Sequence, residues 1–168
     1  CSGDPFSVTP INGGNNIVPT GTTYTWTVAP NANVTGQSDV NVGQNAISQT
    51  LTNTSNTVQT VIYTVTPISG AAGSCTGQTF NVTVTVNPRP SIVNETIEAC
   101  SNAPINYTAT HGDNNNIVPT NTQYTWVIKT DNNDITGKSA QATPQASFTQ
   151  TLRNTTNTQQ TIVYTLTP

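Results

Sequence analysis

Charge is the first thing that this sequence lacks. Charged residues make up 7% of its 168 residues, and the net charge is -3. Because nucleic-acid binding depends on basic groups that neutralise phosphates, we expect no nucleic-acid partner. Long apolar runs are missing too, since no stretch approaches the roughly 18 residues that a membrane-spanning helix needs. We therefore expect no direct membrane insertion, and any export signal or anchor is expected outside these residues.

Residues that commonly build catalytic or metal sites are also few. His111 is the only histidine, and its Gly/Asn/Asp surroundings are typical of a turn rather than of a catalytic base held by an acid. The three cysteines show no paired spacing, so no zinc tetrahedron is predicted. The Asp/Asn runs 113–116 and 131–134 lack the ligand order of a calcium loop and favour turns. We predict no catalytic residue, no cofactor and no metal, and a protein that is not an enzyme.

The chain is rich in Thr and Asn, which together form about a third of it, and it alternates large with small side chains. Tyr24, Trp26 and Val28 alternate with threonines, which places three large side chains on one face of a strand. Branched and aromatic side chains pack well on a pleated, half-buried surface, so this alternation disfavours disorder. No window has a convincing 3.6-residue apolar period. The predicted class is all-β.

The pattern occurs twice. The run 59–67 (QTVIYTVTP) recurs as 160–168 (QTIVYTLTP), and the offset between the copies is 99 to 101 residues throughout. One immunoglobulin-like sandwich has about 100 residues. We therefore predict two tandem β-sandwich domains, at 1–88 and 91–168. Large side chains at matching positions are the predicted core anchors: Tyr24, Trp26, Val28 and Tyr63 in the first copy, and Tyr124, Trp126, Ile128 and Tyr164 in the second.

The two copies differ in which strands they contain. The segment 75–86 of the first copy has no counterpart after Pro168, and the segment 91–99 of the second copy has none before Cys1. We therefore expect the first domain to lack its first strand and the second domain to lack its last. Each truncated end is expected to expose an unpaired strand edge unless a neighbouring chain covers it.

A short joint separates the copies. Residues 87–90 hold two prolines around one arginine, and the fixed φ of proline keeps such a segment near an extended backbone. A joint this short and stiff predicts two sandwiches arranged end to end. Each repeat would add roughly 35 to 40 Å if a sandwich is about ten strand residues tall.

Cysteine is the sharpest chemical feature of the repeat. In a secreted protein, Cys1 and Cys75 are candidates for a disulfide, whereas Cys100 has no partner within its own copy. A strand of about 30 Å is nevertheless expected between the two ends of a sandwich, and a disulfide spans only about 6 Å. Three alternatives therefore remain open: a bridge within the copy, a bridge between repeats, and free thiols.

Taken together, these segments resemble the PKD-like repeats of giant cell-surface adhesins secreted by Bacteroidota, of which the gliding-motility adhesin of flavobacteria is the best-known kind. The resemblance covers the whole chain and depends on six segments: Cys1–Gly3, Tyr24–Trp26, Gln49–Asn53, Val61–Pro67, Cys75–Gly77 and Val84–Pro88. It implies an immunoglobulin-like fold, export by type IX secretion, and display as an outer-membrane-associated filament on the cell surface. The implied partners are neighbouring repeats of the same polypeptide and surface polysaccharide or substratum.

One departure limits what the resemblance implies. The Trp-Asp-Phe-Gly-Asp-Gly signature of ordinary PKD domains is absent, and Trp26-Thr27-Val28 stands in its place. Calcium or ligand binding is therefore not carried over. Two functions remain: a structural or adhesive repeat of a filament, and a carbohydrate-binding or spacer module of a secreted polysaccharide-degrading enzyme. An exposed aromatic strip on one sheet face would favour the second, whereas the alternation predicts that both tryptophans are core residues.

Overall fold

In a computed structural model of the chain, residues 1–71 and 73–168 are described. Apart from a three-residue 3-10 turn at Asp113–Asn115, their regular structure is entirely β. The all-β class is confirmed. No helix in the described part of the chain could span a membrane. The residues cluster into two compact units, Cys1–Arg89 and Pro90–Pro168.

In its described residues, 1–71 and 73–89, the first unit is an antiparallel sandwich of eight strands. Their bounds are β1 Pro5–Val8, β2 Thr23–Val28, β3 Val34–Thr35, β4 Val40–Gln44, β5 Ile47–Thr50, β6 Thr52–Asn53, β7 Gln59–Ile68 and β8 Phe80–Val86. Four strands form one sheet in the order β4-β2-β7-β8, while β1 pairs with β5 and β3 pairs with β6. The β1–β5 pair faces this sheet across the core, where the ring of Phe6 lies 5.5 Å from the ring of Tyr63.

The second unit repeats this plan with one strand fewer in its main sheet. Its strands are β9 Pro104–Tyr107, β10 Tyr124–Thr130, β11 Ile135–Thr136, β12 Gln141–Gln145, β13 Phe148–Thr151, β14 Arg153–Asn154 and β15 Val163–Thr167. The main sheet has the order β12-β10-β15, and β9 pairs with β13 and β11 with β14. Within residues 90–168, nothing occupies the place that β8 takes in the first unit.

The predicted opening strand at 91–99 is wrong. Only Ser91 pairs, through two backbone hydrogen bonds of 2.9 and 2.8 Å with Ile117, and residues 92–103 form no strand. The next ladder position is lost because the N–H of Val93 donates to the side-chain Oδ1 of Asn116, at 2.9 Å. A side-chain amide thus replaces the backbone carbonyl that a continuing strand would need.

Alternation places the large side chains of the first unit in its core. Tyr24, Trp26 and Tyr63 are 2%, 3% and 0% exposed, and Val28 is partly buried against the same cluster. The other buried members of this core are Val34, Ile47, Leu51, Val61, Val65 and Val86. Threonines take most outward positions, so the sheet keeps strand propensity without an apolar surface.

The core of the second unit is smaller. Tyr124 and Trp126 are buried at 1% and 4% exposure, together with Phe148, whose ring lies 5.1 Å from that of Trp126. Tyr164 packs against this cluster but is only half-buried. Ile128 is half-buried as well. The anchors therefore lie at the same places in both units, and among them Tyr164 is clearly less covered than its equivalent Tyr63.

Candidate functional site

All three cysteines are exposed free thiols. Cys1 lies at the end of the first unit where β8 finishes, because the N–H of the adjacent Ser2 donates to the carbonyl of Asn87, at 3.0 Å. The carbonyl of Cys75 accepts from the N–H of Ser69, at 2.9 Å, directly after the end of β7.

These two positions lie at opposite ends of the sandwich. The last residue of β8, Val86, pairs with the first residue of β7, Gln59, so Cys1 lies near the start of β7 while Cys75 lies beyond its other end. At about 3.3 Å per residue, the ten residues of β7 span about 30 Å, and a disulfide bridges only about 6 Å between Cα atoms. The geometry therefore leaves the bridge between repeats and the free thiols as the available alternatives.

Cys100 occupies the same kind of turn in the second unit that Cys1 occupies in the first. The carbonyl of Cys1 accepts from the N–H of Asp4 at 3.1 Å, and that of Cys100 accepts from the N–H of Ala103 at 3.0 Å. The turns pass through positive φ at Gly3 and Asn102, 84° and 66°, which Gly and Asn tolerate.

The predicted turn residues have backbone partners. Nδ1 of His111 accepts from the N–H of Val118, at 3.4 Å, so the histidine holds a loop. In the run 131–134, the carboxylate of Asp131 accepts from the N–H of Asn132, at 2.7 Å, and also contacts the ammonium of Lys138. That ammonium, as the main cause, lowers the pKa of Asp131. Within the described residues, no group of three or more His, Cys, Asp or Glu side chains could hold a metal ion.

A polar pocket with a volume of about 340 Å³ lies in the second unit. It is lined by Glu95, Tyr107, Thr108, Thr110, Asp113, Asn114 and Asn116. The Nδ2 of Asn114 donates to Glu95, at 3.2 Å, whereas the buried hydroxyl of Tyr107 has no partner in the described structure. Burial, and then the carboxylate of Glu95, raise the pKa of Tyr107. The first unit has Val8 in place of Tyr107 and Gly13-Gly14 in the adjoining loop, so this chemistry is not duplicated.

Both tryptophans face inward. Their indole N–H groups donate to the carbonyls of Ser38 and Ser139, each at 3.1 Å. Each ring is at least nine-tenths buried. A buried ring whose N–H is already bonded offers no platform for a sugar.

Two glutamines that the sequence did not single out connect the core to the loops that contain Ser38 and Ser139, the acceptors of the two indole N–H groups. Gln49 accepts from the hydroxyl of Tyr63 at 2.7 Å and donates to the carbonyl of Ser38 at 2.7 Å. Gln150 makes the same two contacts in the second unit, with Tyr164 at 3.3 Å and Ser139 at 3.0 Å. Recurrence of the Gln-Thr-Leu segment in both copies was the available signal, but it does not reveal a partner eleven or fourteen residues away.

Two antiparallel layers around a Tyr/Trp core, present in two copies, define an immunoglobulin-like module. The family model that matches is described as a PKD-like domain, and it covers residues 1–90 and 97–168. The chain belongs to the PKD-like domain family. Domains of this family are generally non-catalytic and typically extracellular. No curated protein and no solved structure matched the chain.

Proposed function

We propose that the chain is a structural and adhesive repeat of a long extracellular filament on the cell surface, and that it is not an enzyme. The observation that supports this most strongly is which contacts occur in both copies. The Trp–Ser, Tyr–Gln and turn contacts recur with the same partners. All of them stabilise the fold, whereas the polar pocket of the second unit is lined by residues, Tyr107 among them, that the first copy does not repeat. A domain whose duplicated chemistry is entirely structural suits a repeat that serves as a building block.

The finer proposal is an adhesin for gliding motility or attachment that is exported by type IX secretion. It depends on the resemblance of the six sequence segments to repeats of Bacteroidota adhesins. Its partners would be neighbouring repeats of the same polypeptide and polysaccharide or substratum outside the cell. The alternative is a carbohydrate-binding or spacer module of a secreted polysaccharide-degrading enzyme. Exposed aromatic rings that stack on sugars would favour it, whereas both tryptophans here are buried.

Attachment of coated beads tests this proposal. Beads that carry the folded chain are applied to glass and to polysaccharide films, beside beads that carry serum albumin at the same density. We expect the chain to increase retention under flow without releasing reducing sugar from the films. Retention equal to that of albumin would count against adhesion. Saturable binding to one soluble glycan, or release of sugar, would favour the alternative function.

A further inference from the structure

The polar pocket of the second unit is built by one continuous stretch of the chain, since all its lining residues lie between 95 and 116. Glu95 belongs to the segment that follows the joint, Tyr107 is the last residue of β9, and Asp113 lies in the loop after it. The Nδ2 of Asn114 donates to Glu95 at 3.2 Å and so connects that loop to the segment. Two parts of one stretch therefore border a volume of about 340 Å³.

The pocket has negative charge that the described part of the chain leaves without a counterion. Its two carboxylates, those of Glu95 and Asp113, form no ion pair among the described residues, and its lining contains no basic side chain. By contrast, the carboxylate of Asp131 in another loop of the same unit contacts the ammonium of Lys138. Repulsion between like charges therefore disfavours phosphate, sulfate and carboxylate ligands, and a cationic group is favoured.

A buried hydroxyl group without a partner lies at the wall of this pocket. The hydroxyl of Tyr107 is buried and has no hydrogen-bond partner within the described residues. The hydroxyl of Tyr124 also lacks a partner there, although its side chain is only 1% exposed. Burial, as the largest cause, raises the pKa of Tyr107. Glu95, Tyr124 and Asp113 raise this pKa further, so these three groups lie near the hydroxyl of Tyr107.

The acceptors of the pocket match the donors of a primary ammonium group. An ammonium has three N–H donors and no acceptor, and Glu95, Asp113 and Tyr107 offer three oxygens from three different places in the chain. A guanidinium presents its donors in a planar fork that suits a single carboxylate. The described residues contain no group of three or more His, Cys, Asp or Glu side chains for a metal ion.

We propose that this pocket binds the ammonium group of a lysine side chain that another protein presents. The ammonium nitrogen lies between the carboxylates of Glu95 and Asp113 and also donates to the hydroxyl of Tyr107. The flexible four-carbon stem of lysine reaches into a pocket and needs no hydrogen bonds of its own. Such a site lies outside the proposed function, because a repeat without it would still build a filament.

A lysine side chain suits the pocket better than the amino group of an amino sugar. That amino group is attached directly to a ring, and the hydroxyl groups of the ring need donors as well as acceptors. Carboxylates supply acceptors alone, so Glu95 and Asp113 serve an ammonium on an apolar stem better than a ring that is rich in hydroxyl groups.

An NMR titration of the whole chain tests this site. The probe is Nα-acetyl-lysine methylamide, and its matched control is Nα-acetyl-norleucine methylamide, which keeps the carbon chain without the ammonium. We expect the lysine probe to shift the backbone amide signals of residues 95 and 107–116 saturably. Its Kd should be millimolar, because both carboxylates are exposed and exposed ion pairs are weak. The norleucine probe should leave these signals unchanged.

Substitutions assign the individual contacts. Glu95→Gln removes one carboxylate charge and Tyr107→Phe removes the buried hydroxyl, and each should weaken binding of the lysine probe by about three- to fivefold. Glu98→Gln is the matched control, because Glu98 is exposed on the same segment and does not line the pocket. It changes the net charge of the chain by the same amount and should leave the Kd unchanged.

Several results would overturn the proposal. One is the absence of saturable shifts, and another is equal shifting by the norleucine probe. Equal losses in Glu95→Gln and Glu98→Gln would show attraction to the overall charge of the chain rather than to the pocket. Glucosamine and calcium chloride are titrated in parallel, and tighter binding of either one at the same signals would assign the pocket to an amino sugar or to a metal ion instead.

Discussion

The hydroxyl of Tyr63 donates a 2.7 Å hydrogen bond to Oε1 of Gln49, which lies fourteen residues earlier. Gln49 also holds the carbonyl of Ser38, and that same carbonyl accepts from the indole of Trp26. One glutamine therefore connects the aromatic core to the loop that covers it. The second unit repeats the arrangement with Gln150, so the network belongs to the repeat itself.

Replacing this glutamine should destabilise the first unit. Gln49→Ala leaves the buried hydroxyl of Tyr63 without a partner, and we expect a loss of about 1 to 3 kcal/mol in its free energy of unfolding. Denaturant unfolding monitored for each unit measures this loss. Gln44→Ala is the matched control, because the side chain of Gln44 is exposed and, within the described residues, donates to a carbonyl two residues away rather than to the core. Equal losses for both variants would contradict a role of Gln49 in the core.

Stability of the first unit should fall at high pH. Burial raises the pKa of Tyr63 to about 12, whereas an unfolded tyrosine titrates near about 10. Because the folded state holds this proton more tightly, its contribution is complete below about pH 10 and is lost as the pH rises toward about 12. Unfolding of Tyr63→Phe over this range should be less pH-dependent, although the variant loses about 1 kcal/mol at neutral pH. An unchanged slope would contradict this assignment.

Gly36 lies two residues before Ser38, in the loop whose carbonyl binds the indole of Trp26, and replacing it should lower stability. Gly36 has φ of +85°, and an added Cβ would collide with the backbone carbonyl of Thr50. We expect Gly36→Ala to lower the melting temperature through a loss of at least about 2 kcal/mol. Gly14→Ala is the control, since Gly14 also has positive φ but nothing lies within 4 Å of its Cβ position, and it should cost about 1 kcal/mol. A smaller loss at Gly36 than at Gly14 would contradict the collision.

Thiol chemistry tests the placement of the cysteines. In the variant Cys100→Ser, only Cys1 and Cys75 remain, at opposite ends of β7. We expect mild oxidation of the dilute folded variant to leave both thiols titratable, and oxidation of a concentrated sample to give disulfide-linked oligomers. Mass spectrometry of the monomer fraction is the check. A peptide pair that joins Cys1 to Cys75 within the folded monomer would contradict the separation of about 30 Å.

Much of the fold was predictable because the period-two alternation determines which side chains face inward. The all-β class follows from it, and Trp26 and Trp126 lie in the core. The strand expected at 91–99 failed because a side chain, that of Asn116, took the hydrogen bond of the next ladder position. The alternation of side chains does not predict when a side-chain amide will compete with a backbone carbonyl for a strand N–H. The hydrogen-bond partners of Gln49 and Asn53 could not be predicted from the sequence either, because polar contacts between distant segments depend on the complete strand topology.

The last strand of the second unit, β15, shows the same limit from another side. The sequence comparison identified which segment lacks a counterpart. Only the structure shows that residues 160–162 lose their strand while their equivalents keep it. Strand formation at 59–62 therefore depends on a tertiary neighbour rather than on local propensity.

Immunogold labelling of intact, unpermeabilised cells of the source organism tests the central proposal most directly. An antibody raised against the folded chain should decorate lines of gold that project from the outer surface, as a filament of such repeats requires. Label that appears only after the cells are permeabilised, or that stays with a freely released polysaccharide-degrading enzyme, would contradict the account.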